Sequence, residues 1–93
     1  MKAVRVDKQL LERIRRCDPA ARQEIGQSIA SAQAFFGAPH VHGAAGVRKL
    51  KDQWYEVRSG LDMRLIFRNS DECLSFEFMG NHDEVRRFLK GAK

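Results

Sequence analysis

From Gln53 to Leu89 the chain reads QWYEVRSGLDMRLIFRNSDECLSFEFMGNHDEVRRFL, and apolar side chains recur at every second position of its first part. Met63, Leu65 and Phe67 fall on one face of an extended segment, with Asp62, Arg64 and Ile66 on the other. Leu74, Phe76 and Phe78 alternate with Cys73, Ser75 and Glu77 in the same way. Ser59-Gly60 and Asn69-Ser70-Asp71 are turn chemistry, which predicts that segments 53–58, 61–68 and 72–79 pair as an antiparallel meander. One face of such a sheet is apolar and must be covered. The other carries Glu56, Arg58, Asp62, Arg64, Ser75 and Glu77, and it must meet water or a polar partner.

The cover comes from helices. Ala3-Val4-Arg5-Val6 is a short edge or joining strand, after which the Asp7 carboxylate can accept the free N–H groups of a first helical turn. Leu10, Leu11 and Ile14 follow at helical spacing, ending near Cys17. Asp18-Pro19 opens a second helix, because proline at the first helical position gives up only an N–H without a partner. That helix runs from Pro19 to about Phe36, with Ile25, Ile29, Ala32 and Phe36 on one stripe and Phe35-Phe36 read as core packing. So short a link predicts two antiparallel neighbours whose shared apolar stripe covers the sheet. Gly37 to Gly46 is loop composition. Asn81 and Glu84 form a capping box for a closing helix with Val85, Phe88 and Leu89 inward. Tyr55 falls on the apolar face by alternation and is assigned to the core. The fold expected is α+β: a short N-terminal strand and helical hairpin on one face of a mostly antiparallel twisted sheet, with a short C-terminal helix.

Composition narrows the function classes. At 93 residues, 1–93 form a single domain with one core. No apolar run reaches the ~18 residues of a membrane span. The start, MKAVRVDKQLLERIRR, lacks the apolar region of a secretory signal, so a cytoplasmic protein is expected. Cys17 and Cys73 match no zinc or redox spacing and are read as ordinary buried or half-buried thiols. His40 and His42 sit two apart, but a metal site would need further ligands, and a solvated loop is the better account. No metal or cofactor is expected. The net charge of +5, with pI ≈ 9.7, suits a polyanion or an acidic protein and specifies neither. Arg48, Lys49 and Lys51 place three cations on the approach to the polar face.

With the element order in hand, the stretches RKLKDQWYEVRSGLDMRLIFR and FEFMGNHDEVRRFL resemble the RelE/ParE superfamily of bacterial toxins, over essentially the whole length. The most specific parts are the Y-x-V-R … M-R-L-I-F strand pair and the G-N-H-D-E-V junction, and the likeness leans to the RelE, ribosome-associated branch. The resemblance implies a type II toxin, held inactive by an acidic cognate antitoxin, that cuts mRNA in the ribosomal 30S A site without a metal. A ribose 2′-OH would attack the neighbouring phosphate, which calls for a base, cations for the phosphorane and an acid for the leaving oxygen.

Carried over by position, Arg64 matches the arginine that the family keeps before the L-V-Y-like end of its middle strand. Arg58 stands where RelE has a lysine. Glu56 stands at the other RelE lysine with the sign reversed; it can serve as a base, as in YoeB-like members, or pair with Arg58 or Arg64. His82 stands where relatives place an arginine or histidine, and an imidazole is a side chain suited to proton transfer. Lys49 and Lys51, with Arg48 and Arg86, are the expected RNA contacts. One departure stands out: the family tyrosine after D-E-V is replaced by Arg86, or by Phe88 if the helix carries an insertion. Two alternatives therefore stay open: a ParE-like binder of DNA gyrase, and a catalytically degenerate member that binds only an antitoxin or RNA.

Overall fold

The structure, a computed structural model, describes residues 2–37 and 46–92. Strand β1 (Ala3–Val6) leads into helices α1 (Lys8–Arg15) and α2 (Pro19–Gly37). Strands β2 (Val47–Lys51), β3 (Trp54–Ser59), β4 (Met63–Asn69) and β5 (Cys73–Gly80) follow, and helix α3 (His82–Gly91) closes the chain. The sheet order is β1-β5-β4-β3-β2; β1 lies parallel to β5 and every other pair is antiparallel. Among the described residues, no helix is long and apolar enough to cross a membrane.

Local chemistry sets the helix starts. The Asp7 carboxylate accepts the N–H groups of Gln9 and Leu10, both at 3.1 Å. Asp18 accepts that of Ala21 at 2.8 Å, immediately ahead of Pro19. Asn81 and Glu84 close both arms of a capping box, each at 2.9 Å. These bonds satisfy donors that a helix start leaves without partners.

Helices α1 and α2 lie over the first face of the sheet. Leu10, Ile25 and Ala32 are buried there against Val57, Leu65, Phe67, Leu74, Phe76 and Met79. Ile29, Phe36 and Tyr55 pack around this core. The ring of Tyr55 stacks on Phe67 at 5.7 Å between centroids and meets Phe36 edge-on at 5.0 Å. Cys17 also packs against the core, and both cysteines are half-buried free thiols.

The structure departs from the sequence expectation in four places. Phe35, read with Phe36 as core packing, is exposed, while Phe36 packs on the core. Val47–Lys51 is not a lead-in but a fourth antiparallel strand, pairing Val47 with Val57 and Arg48 with Glu56. Phe78 does not share a face with Leu74 and Phe76. Ile66 pairs with Phe78 while Phe67 pairs with Phe76, so Glu77 is the extra residue of a β-bulge and alternation restarts on the opposite face. The second face, in turn, is not polar throughout. Helix α3 covers part of it, burying Val85 against Trp54 and Ile66, with Phe78, Phe88 and Leu89 around them. Phe88 stacks on Phe78 at 4.6 Å and meets Trp54 edge-on at 5.4 Å.

Candidate functional site: an arginine cleft on the second sheet face

Where α3 stops covering the second face, a cleft of about 660 Å³ opens, lined by Gly46, Val47, Arg48, Glu56, Arg58, Gly60 and Arg64. Register explains the gathering. Arg48 pairs with Glu56 across β2 and β3, and Arg58 pairs with Arg64 across β3 and β4. Directly opposed residues project to the same side, and positions two apart on one strand repeat it. The result places four charged side chains on one patch.

Glu56 is its centre and is only 4 % exposed. Its Oε2 accepts Arg64 Nε at 3.0 Å, and its Oε1 accepts Arg48 Nη2 at 3.3 Å. A buried carboxylate without such partners would be costly, so the two guanidinium groups are what make it tolerable. The Arg64 side chain is 17 % exposed and that of Arg48 is 66 % exposed. Arg58 is exposed, and among the described residues it has no ion-pair partner. Three arginines against one glutamate leave the cleft positive, in a place with a partly dry wall where charge is felt strongly.

The backbone around Arg58 is held from two sides. Ser28 Oγ donates to the Arg58 carbonyl at 2.7 Å, and Arg58 N donates to the Gly46 carbonyl at 3.3 Å. Gly46 has φ +91°, and a Cβ there would sit 3.2 Å from the Arg58 Cβ, so the rim of the cleft needs a residue without a side chain.

The other sequence candidates lie outside the cleft. His82 is exposed at the start of α3, two residues beyond Gly80, which pairs with Arg64 in the sheet. It therefore sits at the Arg64 end of β5 without lining the cleft. Lys49 pairs with Tyr55, a residue of the hairpin face, which puts Lys49 on the side away from Arg64. Lys51 Nζ donates to the Leu89 carbonyl at 3.0 Å, near the C-terminal end of α3, where a cation is favoured. Arg86 is exposed on α3. Among the described residues no cluster of three or more His, Cys, Asp or Glu side chains is placed to hold a metal ion. His40 and His42 lie outside the described residues.

Sequence reasoning missed Gly46, Gly60 and Ser28. The first two are turn glycines whose closeness to the cleft depends on pairing. Ser28 carried a weak signal, since it sits on the same stripe as Ile25, Ile29 and Ala32 and is buried with Ile25 and Ala32. Of the two ion pairs open to Glu56 from the sequence, with Arg58 or with Arg64, the structure forms the one with Arg64, and Arg48 takes the other oxygen.

Compared with known proteins, the chain matches no family model and no curated sequence. Solved structures do match. A RelB–RelE antitoxin–toxin complex from Methanococcus jannaschii aligns over 91 % of this chain and 98 % of that one, with TM-score 0.64 and 13 % identity. A double mutant of the Escherichia coli toxin RelE, bound to an antitoxin RelBc peptide, aligns over 99 % and 95 %, with TM-score 0.62 and 14 % identity. YafQ from E. coli strain BL21(DE3) aligns over 91 % and 98 %, with TM-score 0.59 and 13 % identity. The fold is that of the RelE-like toxins. On this RelE-like frame the arginine cleft occupies the part of the second sheet face that α3 leaves open.

Proposed function

We propose that the chain is the toxin of a toxin–antitoxin pair and acts as a ribosome-dependent mRNA endoribonuclease. The observation that carries this reading is the positive cleft, in which Arg48, Arg58 and Arg64 surround one buried glutamate. Guanidinium groups match phosphate geometry through paired N–H donors, and a phosphodiester is the common anion that fits an open positive surface. The fold likeness adds that such chains are found with antitoxins, since the RelE neighbours are solved bound to them.

In the reaction, the ribose 2′-oxygen attacks its neighbouring phosphorus while the bond to the leaving 5′-oxygen breaks. The products are a 2′,3′-cyclic phosphate and a 5′-hydroxyl end. The 2′-OH proton goes to a base, and a proton is returned to the 5′-oxygen. Arg64 and Arg58 stabilise the phosphorane charge. His82, at the same end of the sheet, supplies proton transfer. Glu56 belongs to the same set, as the carboxylate that Arg64 and Arg48 share. Arg48 continues the cleft toward RNA, while Lys49, Lys51 and Arg86 offer further cations to ribosomal RNA from outside it. The antitoxin is read as acidic, complementary to the net charge of +5.

A translating extract given the protein tests this. Cuts within codons of the translated message, lost with Arg64→Ala, are the expected outcome. Intact mRNA at full translation removes the nuclease reading. One observation favours a second reading: the sole tyrosine, Tyr55, is packed between Phe36 and Phe67 rather than in the cleft. A gyrase-directed toxin needs no such proton carrier, and in that case growth arrest would survive Arg64→Ala while DNA-damage responses rise.

A further inference from the structure

We infer that Glu56 is a positioning residue which orients the Arg64 guanidinium, and is not the base that takes the 2′-OH proton. The inference rests on the nuclease reading and assigns one residue of that site. A base has to present a lone pair to the substrate hydroxyl, and geometry decides that first. Both Glu56 oxygens already face guanidinium N–H groups, at 3.0 Å and 3.3 Å, and the residue is only 4 % exposed.

The atom it binds on Arg64 is the informative one. Accepting from Nε fixes the plane of the guanidinium, because the group is flat and rigid. It also leaves both terminal nitrogens uncommitted: among the described residues neither has a protein acceptor. They are the pair of donors that can grip two phosphate oxygens at once. Arg48 binds the other oxygen and keeps the carboxylate from turning, while its own side chain stays 66 % exposed and free to follow a bound strand. Glu56 thus holds an arginine poised, at little reorganisation cost when charge develops on phosphorus.

A double-mutant cycle tests this in single-turnover mRNA cutting on ribosomes, with Glu56→Gln, Arg64→Ala and the pair together. Arg64→Ala is expected to lower the rate by roughly 10²-fold or more, as for loss of one preorganised donor. Glu56→Gln should lower it at least tenfold in the wild-type background and less than twofold in the Arg64→Ala background. Its pH–rate profile should keep both limbs. Loss of one limb, or equal losses in both backgrounds, assigns Glu56 to the base role and overturns the inference. Arg64→Lys keeps the ion pair and the fold but lacks the planar fork. A loss above tenfold is expected, and a rate within twofold of wild type overturns the inference independently. A wild-type protein that cuts nothing overturns the nuclease reading and this assignment together. Cutting with an additive cycle overturns the assignment alone.

Discussion

Two halves of one sheet face receive opposite treatment. Both are built from the same strands: Trp54, Glu56 and Arg58 repeat along β3, and Arg68, Ile66 and Arg64 run antiparallel beside them on β4. At the Trp54 end the face is apolar and α3 closes over it; at the Arg58 end it is charged and stays open. What separates them is the side chain at each second position, together with the bulge at Glu77 that turns Phe78 onto the covered half. A sheet face need not be uniformly wet or dry, and a short amphipathic helix can cover only the part that has apolar surface to bury. The cleft is what remains once α3 has been placed.

If that division holds, truncating the covered half should be the most damaging change. Trp54 is 6 % exposed, touches Phe88 edge-on and has the Arg68 guanidinium over its ring at 5.6 Å. Trp54→Ala is expected to cost about 3–5 kcal/mol, as for other large aromatic truncations in cores. Urea unfolding monitored by circular dichroism checks it. A loss below ~1 kcal/mol would show that α3 is a loose flap, and the contrast between the halves would fail.

In the open half the sensitive residue should be Glu56. Glu56→Ala leaves Arg64 half-buried with no acceptor on Nε and brings like charges together, at a cost of about 1–3 kcal/mol. The same denaturant measurement reads it. An unchanged midpoint would mean that the ion pair is replaced by water without penalty, and the cleft would then be wetter than its burial implies.

The rim offers a smaller effect. Gly46→Ala places a Cβ at φ +91° and 3.2 Å from Arg58 Cβ, which should cost roughly 1–2 kcal/mol. Because the strain sits beside Arg58, RNA affinity should fall with stability. Affinity unchanged in a destabilised variant would separate the rim from the binding surface.

The contrast between the halves also marks how far the sequence could be read. The helix starts at Asp7, Asp18-Pro19 and Asn81 were legible because each cap acts within one turn of chain. Alternation placed Leu65, Phe67 and Tyr55 under the helices and put Arg64 with Glu56 on the other side. The bulge at Glu77 was not legible, since an extra residue exists only relative to a partner strand. Without it Phe78 was assigned to the wrong face, and the apolar half of the second face went unseen. The same limit hid β2: Val47–Lys51 reads as a basic lead-in until its pairing with β3 brings Arg48 to Glu56. Local signals survive in a sequence, whereas register is a property of two segments at once.

The gentlest substitution is also the sharpest probe of what the open half is for. Arg58 is exposed, and its backbone is held by Ser28 and Gly46 whatever its side chain. Arg58→Ala keeps the Cβ that Gly46 abuts, so stability should stay within about 0.5 kcal/mol of wild type, the usual range for a surface change. RNA binding should respond nonetheless. If the guanidinium meets a phosphate, affinity falls for all sequences alike, and the slope of log affinity against log salt drops by about one. Titration of a labelled single-stranded RNA at several salt concentrations, read by fluorescence anisotropy, measures it. An unchanged slope at unchanged stability would mean that the open half is merely solvated charge, and the division of the sheet would then be a matter of packing with no bearing on function.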